Sequence, residues 1–273
     1  MKLPYDQAHV DRFTGYADTY DRYRPEAPQA VLDMICRYTA EGAPPSLVVD
    51  LGSGTGLSSF AWVGRADAIV GIEPSDDMRS EAQSKLAHWD LAPRVEFHSG
   101  YAHATGLPSE CAGVVTCSQS FHWMDPLPTL TEAARILKSG GAFAVYDCDW
   151  PPAAGWAVES AYMHFMDAVE KVSQARAANL PTIAKRDKNQ HLANIRQSGL
   201  FRFAREVVLH HEEPCDAERF VGLALSQGGY QTLRKAGIAM EDEVQRLEEA
   251  ARRHFGTETQ SILFSYRLRL GIK

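Results

Sequence analysis

The chain has 273 residues, 45% hydrophobic and 23% charged, which is enough to bury a sizeable core and close to ordinary globular usage, so neither a disordered nor a fibrous protein is expected. Twenty-eight Lys and Arg against 35 Asp and Glu give a formal charge of -7 with no dense basic run, which argues against a nucleic-acid partner. Cys36, Cys111, Cys117, Cys148 and Cys215 are scattered without metal-ligand spacing and read as free thiols of a reducing, cytoplasmic compartment, and no apolar run is long enough to span a bilayer, so no membrane partner is expected.

Between Leu47 and Cys148, short apolar runs alternate with segments of helical period, the pattern of an α/β protein with a parallel sheet under helices. Strands are predicted over Leu47–Leu51, Ala68–Ile72, Val95–His98, Gly113–Cys117 and Ala142–Asp147. Helices are predicted over Leu57–Val63, Asp76–His88 and Leu127–Leu137, with Lys138-Ser139-Gly140-Gly141 as the stop after the last of them. After Trp150-Pro151-Pro152 a long mixed segment runs to Asn189 without strand character and reads as a helical insertion. From His191 the alternation resumes: a helix to Gln197, a strand Phe201–His210, helix over Asp216–His254 and a strand Ser261–Leu270.

The most informative stretch is Val48-Val49-Asp50-Leu51-Gly52-Ser53-Gly54-Thr55-Gly56, a strand entering a glycine-rich turn before a helix. Glycines at alternate positions allow a tight turn and let a ligand come close where a Cβ would collide. Asp50, at the carboxyl end of the strand, is open to two roles, accepting hydrogen bonds from a cationic ligand or orienting the turn. A dinucleotide loop wants its third glycine one residue later, where this chain has Leu57, so a nicotinamide dehydrogenase is the weaker reading.

The second strand ends Ile72-Glu73-Pro74-Ser75, placing a carboxylate about twenty residues past the glycines, where an acid can hold both ribose hydroxyls of a nucleoside. Met78 suits either an adenine cover or plain core. His210 and His211, adjacent on a strand, point to opposite faces and read as a solvated strand end, and no metal is assigned. The charge-rich stretch Glu241–Arg253 reads as an exposed helix face. For Trp156, Tyr162, Met163, Phe165 and Met166 in the insertion, core is the better reading of each taken singly.

Four stretches together make the chain resemble the class I S-adenosylmethionine-dependent methyltransferases, in particular the branch similar to trans-aconitate methyltransferase. They are Tyr20-Asp21-Arg22-Tyr23-Arg24-Pro25, Val49 to Gly56, Gly71-Ile72-Glu73-Pro74-Ser75 with Met78, and Ser118-Gln119-Ser120-Phe121-His122-Trp123. The resemblance implies a Rossmann-like, seven-stranded, mostly parallel sheet with an antiparallel last strand and helices on both faces. It implies one domain over 1–273: an N-terminal cap segment 1–30, a cofactor-binding core 31–150, a helical cap insertion 151–190 over the site, and 191–273 as the C-terminal part of the sheet with its helices.

The resemblance also implies S-adenosyl-L-methionine as cofactor. Gly52, Ser53, Gly54, Thr55 and Gly56 would line its methionine end and ribose, with Asp50 nearby, Glu73 and Pro74 at the ribose and Met78 at the adenine. Tyr20 and Arg24 would close over its carboxylate. Tyr101 and Ala102, in the turn Ser99–His103, would meet the adenine, with His103 standing where relatives often have an acid, and Ser118 would lie nearby. Tyr16, Phe121, His122 and Trp123 would meet the acceptor.

His122, just past the fourth strand, is the candidate base, since imidazole titrates near neutrality, although an orienting or packing role is the better reading of it. The function expected is methyl transfer to an oxygen of a small acid or natural product by a monomer or homodimer. An N-methyltransferase and a non-catalytic nucleoside-binding protein stand as the alternatives.

Overall fold

The computed structural model describes residues 21–39, 44–87, 94–176 and 185–273. The chain divides into two compact units, a sheet unit (26–148, 184–209, 266–273) and a helical unit (up to 25, 149–183, 210–265).

The strands are β1 (Val48–Leu51), β2 (Ala68–Ile72), β3 (Arg94–His98), β4 (Ala112–Ser118), β5 (Leu137–Cys148), β6 (Phe203–Cys215) and β7 (Gln260–Ile272). They form one seven-stranded sheet in the order β3-β2-β1-β4-β5-β7-β6. β1 pairs in parallel with both β2 and β4, with Asp50 opposite Gly71 on one side and Thr116 on the other. β7 runs antiparallel to β5, with Tyr146 opposite Leu268. This is the mostly parallel, Rossmann-like sheet that the sequence predicts. The order reverses between β1 and β4, and the carboxyl ends of strands beside such a switch are where open α/β sheets bind ligands. β1 is buried at every position, as a central parallel strand must be.

Helices α1 (Gln29–Tyr38), α2 (Leu57–Phe60), α3 (Asp76–Leu86), α4 (Pro126–Ile136) and α6 (His191–Gln197) belong to the sheet unit. α3 begins at Ser75, whose hydroxyl accepts from the Met78 N–H, with Asp76 and Asp77 in its first turn where the helix dipole favours acids. Two local readings differ from the sequence. α2 is only four residues long and gives way to turns through Gly64 at φ 76°. Lys138–Gly141 does not separate helix from strand: β5 already starts at Leu137, and its register against β4 shifts across Ala112–Val114, with Gly140 at φ 78°. Leu137 is wholly buried, which draws the chain straight from helix into sheet, and the glycine pair absorbs the irregularity.

In the helical unit, α9 (Glu241–Phe255) packs on α5 (Trp156–Ala175) and α7 (Ala217–Leu225), and α8 (Gly228–Lys235) packs on α5. The helix predicted over Asp216–His254 is thus three helices, parted near Ser226 and at Gly237, which takes φ 68°. Tyr162 and Phe165 are core, as read from their spacing, but Trp156 is 85% exposed at the first turn of α5 and Met163 is also exposed. The stretch 210–265, read from the sequence with the sheet, clusters with 149–183 instead.

Candidate functional site

The chain leaves β1 through three left-handed glycines, Gly52, Gly54 and Gly56, at φ 69°, 56° and 85°. Their tasks differ. A Cβ on Gly56 would stand 2.8 Å from the Phe60 ring and 2.9 Å from the Phe97 ring, whereas one on Gly54 would meet nothing within 4 Å. Gly56 is therefore a packing requirement, and Gly54 borders open space. The turn is tied to β2 by the N–H groups of Gly52 and Ser53, which both donate to the Ile72 carbonyl at 2.8 and 3.2 Å.

Asp50 takes the turn-orienting role. Its carboxylate is fully buried and accepts from Ser58 Oγ at 2.6 Å, Ser59 Oγ at 2.7 Å and Thr116 Oγ1 at 3.0 Å, which stitches the start of α2 and β4 to the end of β1. Burial raises its pKa against the pull of those hydroxyls. Ser58, Ser59 and Thr116 carry no sequence signal of this task.

Glu73 leaves β2 beside this turn. Its Oε2 accepts from the Gly54 N–H at 2.9 Å and its Oε1 from the Ser75 N–H at 2.8 Å. Burial raises its pKa, opposed by these two backbone donors. The carboxylate and the glycine turn are thus joined by a hydrogen bond. Beside them the Ser53 hydroxyl is buried and has no hydrogen-bond partner among the described residues, a cost that a polar ligand would relieve. Thr55 and Met78 are buried and Pro74 is half-buried.

At the end of β4, Ser118 and Gln119 are partly exposed, and Gln119 holds φ 52°, a strained conformation for a non-glycine residue and one that concentrates at functional sites. Its amide is fixed on both sides: Nε2 donates to Cys148 Sγ at 2.8 Å, and Oε1 accepts from Lys188 Nζ at 3.1 Å. A 3-10 turn, Phe121–Trp123, follows. Phe121 is 1% exposed and packs edge-on against Phe143 and His191, so its ring belongs to the core and not to an open wall. Trp123 stays half-buried, with Lys185 Nζ 5.9 Å from its ring centre.

His122 Nδ1 faces Asp147 Oδ1 at 3.5 Å. Burial pushes the His122 pKa down to about 3 although Asp147 favours its cation, so the imidazole is neutral at ordinary pH. Asp147 belongs to a group that the sequence reading missed. Lys188 Nζ lies 2.9 Å from its Oδ1, Arg269 Nη1 donates to its Oδ2 at 3.2 Å, and His191 Nε2 stands 3.6 Å from the same oxygen. Arg269 is itself buried and donates through Nε to Glu206 at 2.7 Å. Burial opposes ionisation of Asp147, yet His122 and Lys188 hold its pKa below the usual carboxylate range. Ring and carboxylate atoms of His122, Asp147 and His191 all lie within 4.8 Å of one another, close enough to hold a cation. Lys188 and Arg269 already neutralise that carboxylate, so the group is an ion-pair network with no charge to spare for a metal. Its members come from the 3-10 turn after β4, from β5, β6, β7 and α6, and from the segment before α6, and no spacing in the sequence joins them.

After β3, residues 101–104 form a tight turn in which the Ala104 N–H donates to the Tyr101 carbonyl at 2.9 Å; the Tyr101 ring stacks on His103 and Ala102 is buried. Arg24 belongs to the helical unit. There its Nη2 donates to the Ser226 carbonyl and to Gln227 Oε1, both at 3.1 Å, and its guanidinium lies 4.8 Å from the Trp150 ring centre. Tyr16 and Tyr20 lie outside the described residues. His210 meets Ser265 Oγ and His211 faces Glu213, separate partners as expected of opposite strand faces. No described helix is long and apolar enough to cross a membrane.

Residues 49–145 match a family model described as a methyltransferase domain. The chain is 27% identical over 147 residues to an uncharacterised methyltransferase of Mycobacterium bovis, covering 54% of this chain and 56% of that protein. It is also 27% identical over 128 residues to a Saccharomyces cerevisiae protein described as an S-adenosylmethionine-dependent methyltransferase, covering 46% of this chain and 43% of that one. The match therefore spans about half the length of these relatives. Among solved structures, one from Anaeromyxobacter dehalogenans described as a type II methyltransferase superposes with TM-score 0.64 at 20% identity, over 92% of this chain and 98% of that one. Geranyl diphosphate C-methyltransferase from Streptomyces coelicolor gives 0.54 at 14% identity over 99% and 98%. By its matched domain over residues 49–145, the glycine turn joined to the acid of β2 and the order of its sheet, the chain carries a methyltransferase domain similar to the class I S-adenosylmethionine-dependent methyltransferases.

Proposed function

We propose that this protein transfers the methyl group of S-adenosylmethionine to an oxygen, hydroxyl or carboxylate, of a small acid or natural product. The observation that carries the cofactor assignment is the Gly54–Glu73 junction with the buried Ser53 hydroxyl beside it, which has no partner among the described residues, a cradle whose polar groups suit a nucleoside without a diphosphate. The structure of the Streptomyces coelicolor enzyme contains S-adenosyl-L-homocysteine, which supports the same reading here.

In this reading Gly52 to Gly56 follow the methionine end and ribose, Glu73 and Pro74 hold the ribose hydroxyls, and Met78, Tyr101 and Ala102 enclose the adenine, with Ser118 at the adjoining strand end. When bound, the cofactor supplies an electrophilic methyl on a sulfonium, so the protein must chiefly aim an acceptor and keep water away. His122 is neutral and turns Nδ1 toward Asp147, which leaves Nε2 as the nitrogen to take a proton from an acceptor hydroxyl as the new oxygen–carbon bond forms. A carboxylate acceptor needs no base, and His122 then only orients it. Trp123 supplies an apolar wall.

The test is a labelled-methyl screen of carboxylic acids, phenols and amines, preceded by calorimetry with S-adenosylhomocysteine. Label entering acids or phenols supports the reading, and label entering amines alone overturns the oxygen assignment. Absence of S-adenosylhomocysteine binding removes the cofactor assignment altogether.

A further inference from the structure

The turn at 101–104, which the proposed function places at the adenine, carries no acid and has His103 at its third position. On the proposed cofactor reading, adenine is then read by backbone groups, which cannot be re-aimed by a change of rotamer and must be held by something rigid. One element of the fold does this. Immediately after the turn, the Thr105 N–H and Oγ1 both donate to Glu132 Oε1, at 2.9 and 2.5 Å. Glu132 lies on α4, whose Leu130, Ala133 and Ile136 are anchored in the core.

Arg135, one turn further along, grips the same carboxylate through Nε at 2.7 Å and Nη2 at 2.8 Å. It reaches on to the Leu107 carbonyl at 2.7 Å and Ser109 Oγ at 3.1 Å. The Thr105 hydroxyl in turn accepts from the Leu107 N–H at 3.2 Å. Burial works against the Glu132 charge, but Arg135 and Thr105 hold its pKa down to about 2, so these bonds stay charge-assisted at any ordinary pH. Apart from those joining Glu132 and Arg135 to each other, these bonds are made to or within the loop that leaves the turn, so the pair clamps that loop to a rigid helix.

We propose that Glu132, seconded by Arg135, is a positioning residue for cofactor selectivity: by fixing Thr105 it sets the backbone at Tyr101 and Ala102 that distinguishes adenine from other purines. The inference rests on the assignment of this turn to the adenine in the proposed function.

The experiment is titration calorimetry of wild type, Glu132→Gln, Arg135→Lys and Thr105→Val with two probes: S-adenosylhomocysteine, and S-inosylhomocysteine, which carries an oxo group in place of the 6-amino group. Near-ultraviolet circular dichroism checks folding. The expected result is a loss of about tenfold in affinity for the adenosyl probe in each variant, with less than about threefold for the inosyl probe, so the preference collapses. Equal weakening of both probes by folded variants, or no weakening of either, overturns the proposal, since a merely structural clamp would not act on one atom of the base. Should Glu132→Gln fail to fold, Thr105→Val, which keeps the Glu132–Arg135 pair, decides the matter by the same ratio. If wild type binds neither probe, the cofactor reading falls and takes this inference with it; if wild type binds both equally, only the selectivity inference falls.

Discussion

The backbone N–H of Gly54 donates to Glu73 Oε2 at 2.9 Å, so the turn after β1 and the acid after β2 are a single hydrogen-bonded unit. Replacing Glu73 by Gln keeps the shape but removes the charge, and affinity for S-adenosylhomocysteine is expected to fall by about tenfold or more, read by calorimetry. Because burial raises the Glu73 pKa, the carboxylate is lost at a higher pH than that of a solvated glutamate. Wild-type affinity should accordingly decline as pH falls through that raised pKa, whereas the Gln variant should show no such decline. A wild-type profile without an acid limb would remove Glu73 from the binding site.

Gly54 and Gly56 should respond differently to alanine. Both are left-handed, which costs an L-residue about 1–2 kcal/mol. Gly56→Ala also drives a Cβ into the Phe60 and Phe97 rings and should lose about 1–3 kcal/mol more. Gly54→Ala should be the more stable variant, and its methyl group should instead weaken cofactor binding. Urea denaturation and calorimetry on the same samples separate the two, and equal unfolding midpoints would contradict the packing role of Gly56.

His122 and His191 are pushed down to about 3 and about 4, in each case chiefly by burial and against the neighbouring Asp147. A histidine with a depressed folded pKa takes its proton preferentially in the unfolded chain, so stability is full above its unfolded value near 6.5 and is lost as pH falls below it. Urea midpoints should therefore drop steadily from pH 7 to pH 5, and less steeply in His191→Asn. Turnover should show no acid limb centred near 6.5. Such a limb would mean that His122 is a solvated imidazole in the working enzyme.

Arg269 donates to both Asp147 and Glu206 from a wholly buried position. Arg269→Met should cost about 3–5 kcal/mol, because it leaves a buried carboxylate without its guanidinium. Adding Asp147→Asn to that variant should recover part of the loss, measured as the coupling in a double-mutant cycle, and strict additivity would show that the two residues are energetically independent.

Much of the sheet was legible because buried parallel strands are short, two-sided apolar runs: Ala68–Ile72 and the end of β1 at Leu51 read correctly to the residue. The glycine turn and Glu73 were legible too, since glycine spacing and an acid at a strand end are local signals. The network around Asp147 was not, because a β5 carboxylate, a β7 guanidinium and an α6 imidazole meet only after the sheet has closed. Phe121, which the resemblance implies would meet the acceptor, is buried in the core, a position no local signal gives because its neighbours in space are Phe143 and His191. Lys138–Gly141 looked like a turn because lysine and glycine end helices, and nothing local revealed that Leu137 opens a strand.

The seat of Arg269 in β7 also bears on how the molecule is made. In synthesis from the N-terminus, the guanidinium emerges later than His122, Asp147, Lys188, His191 and Glu206. A nascent chain still short of β7 holds an acid destined for burial without its buried guanidinium counter-ion, and at that stage the sheet also lacks the strand that pairs antiparallel with β5. Completion of the polar cluster is thus coupled to the last step of sheet assembly.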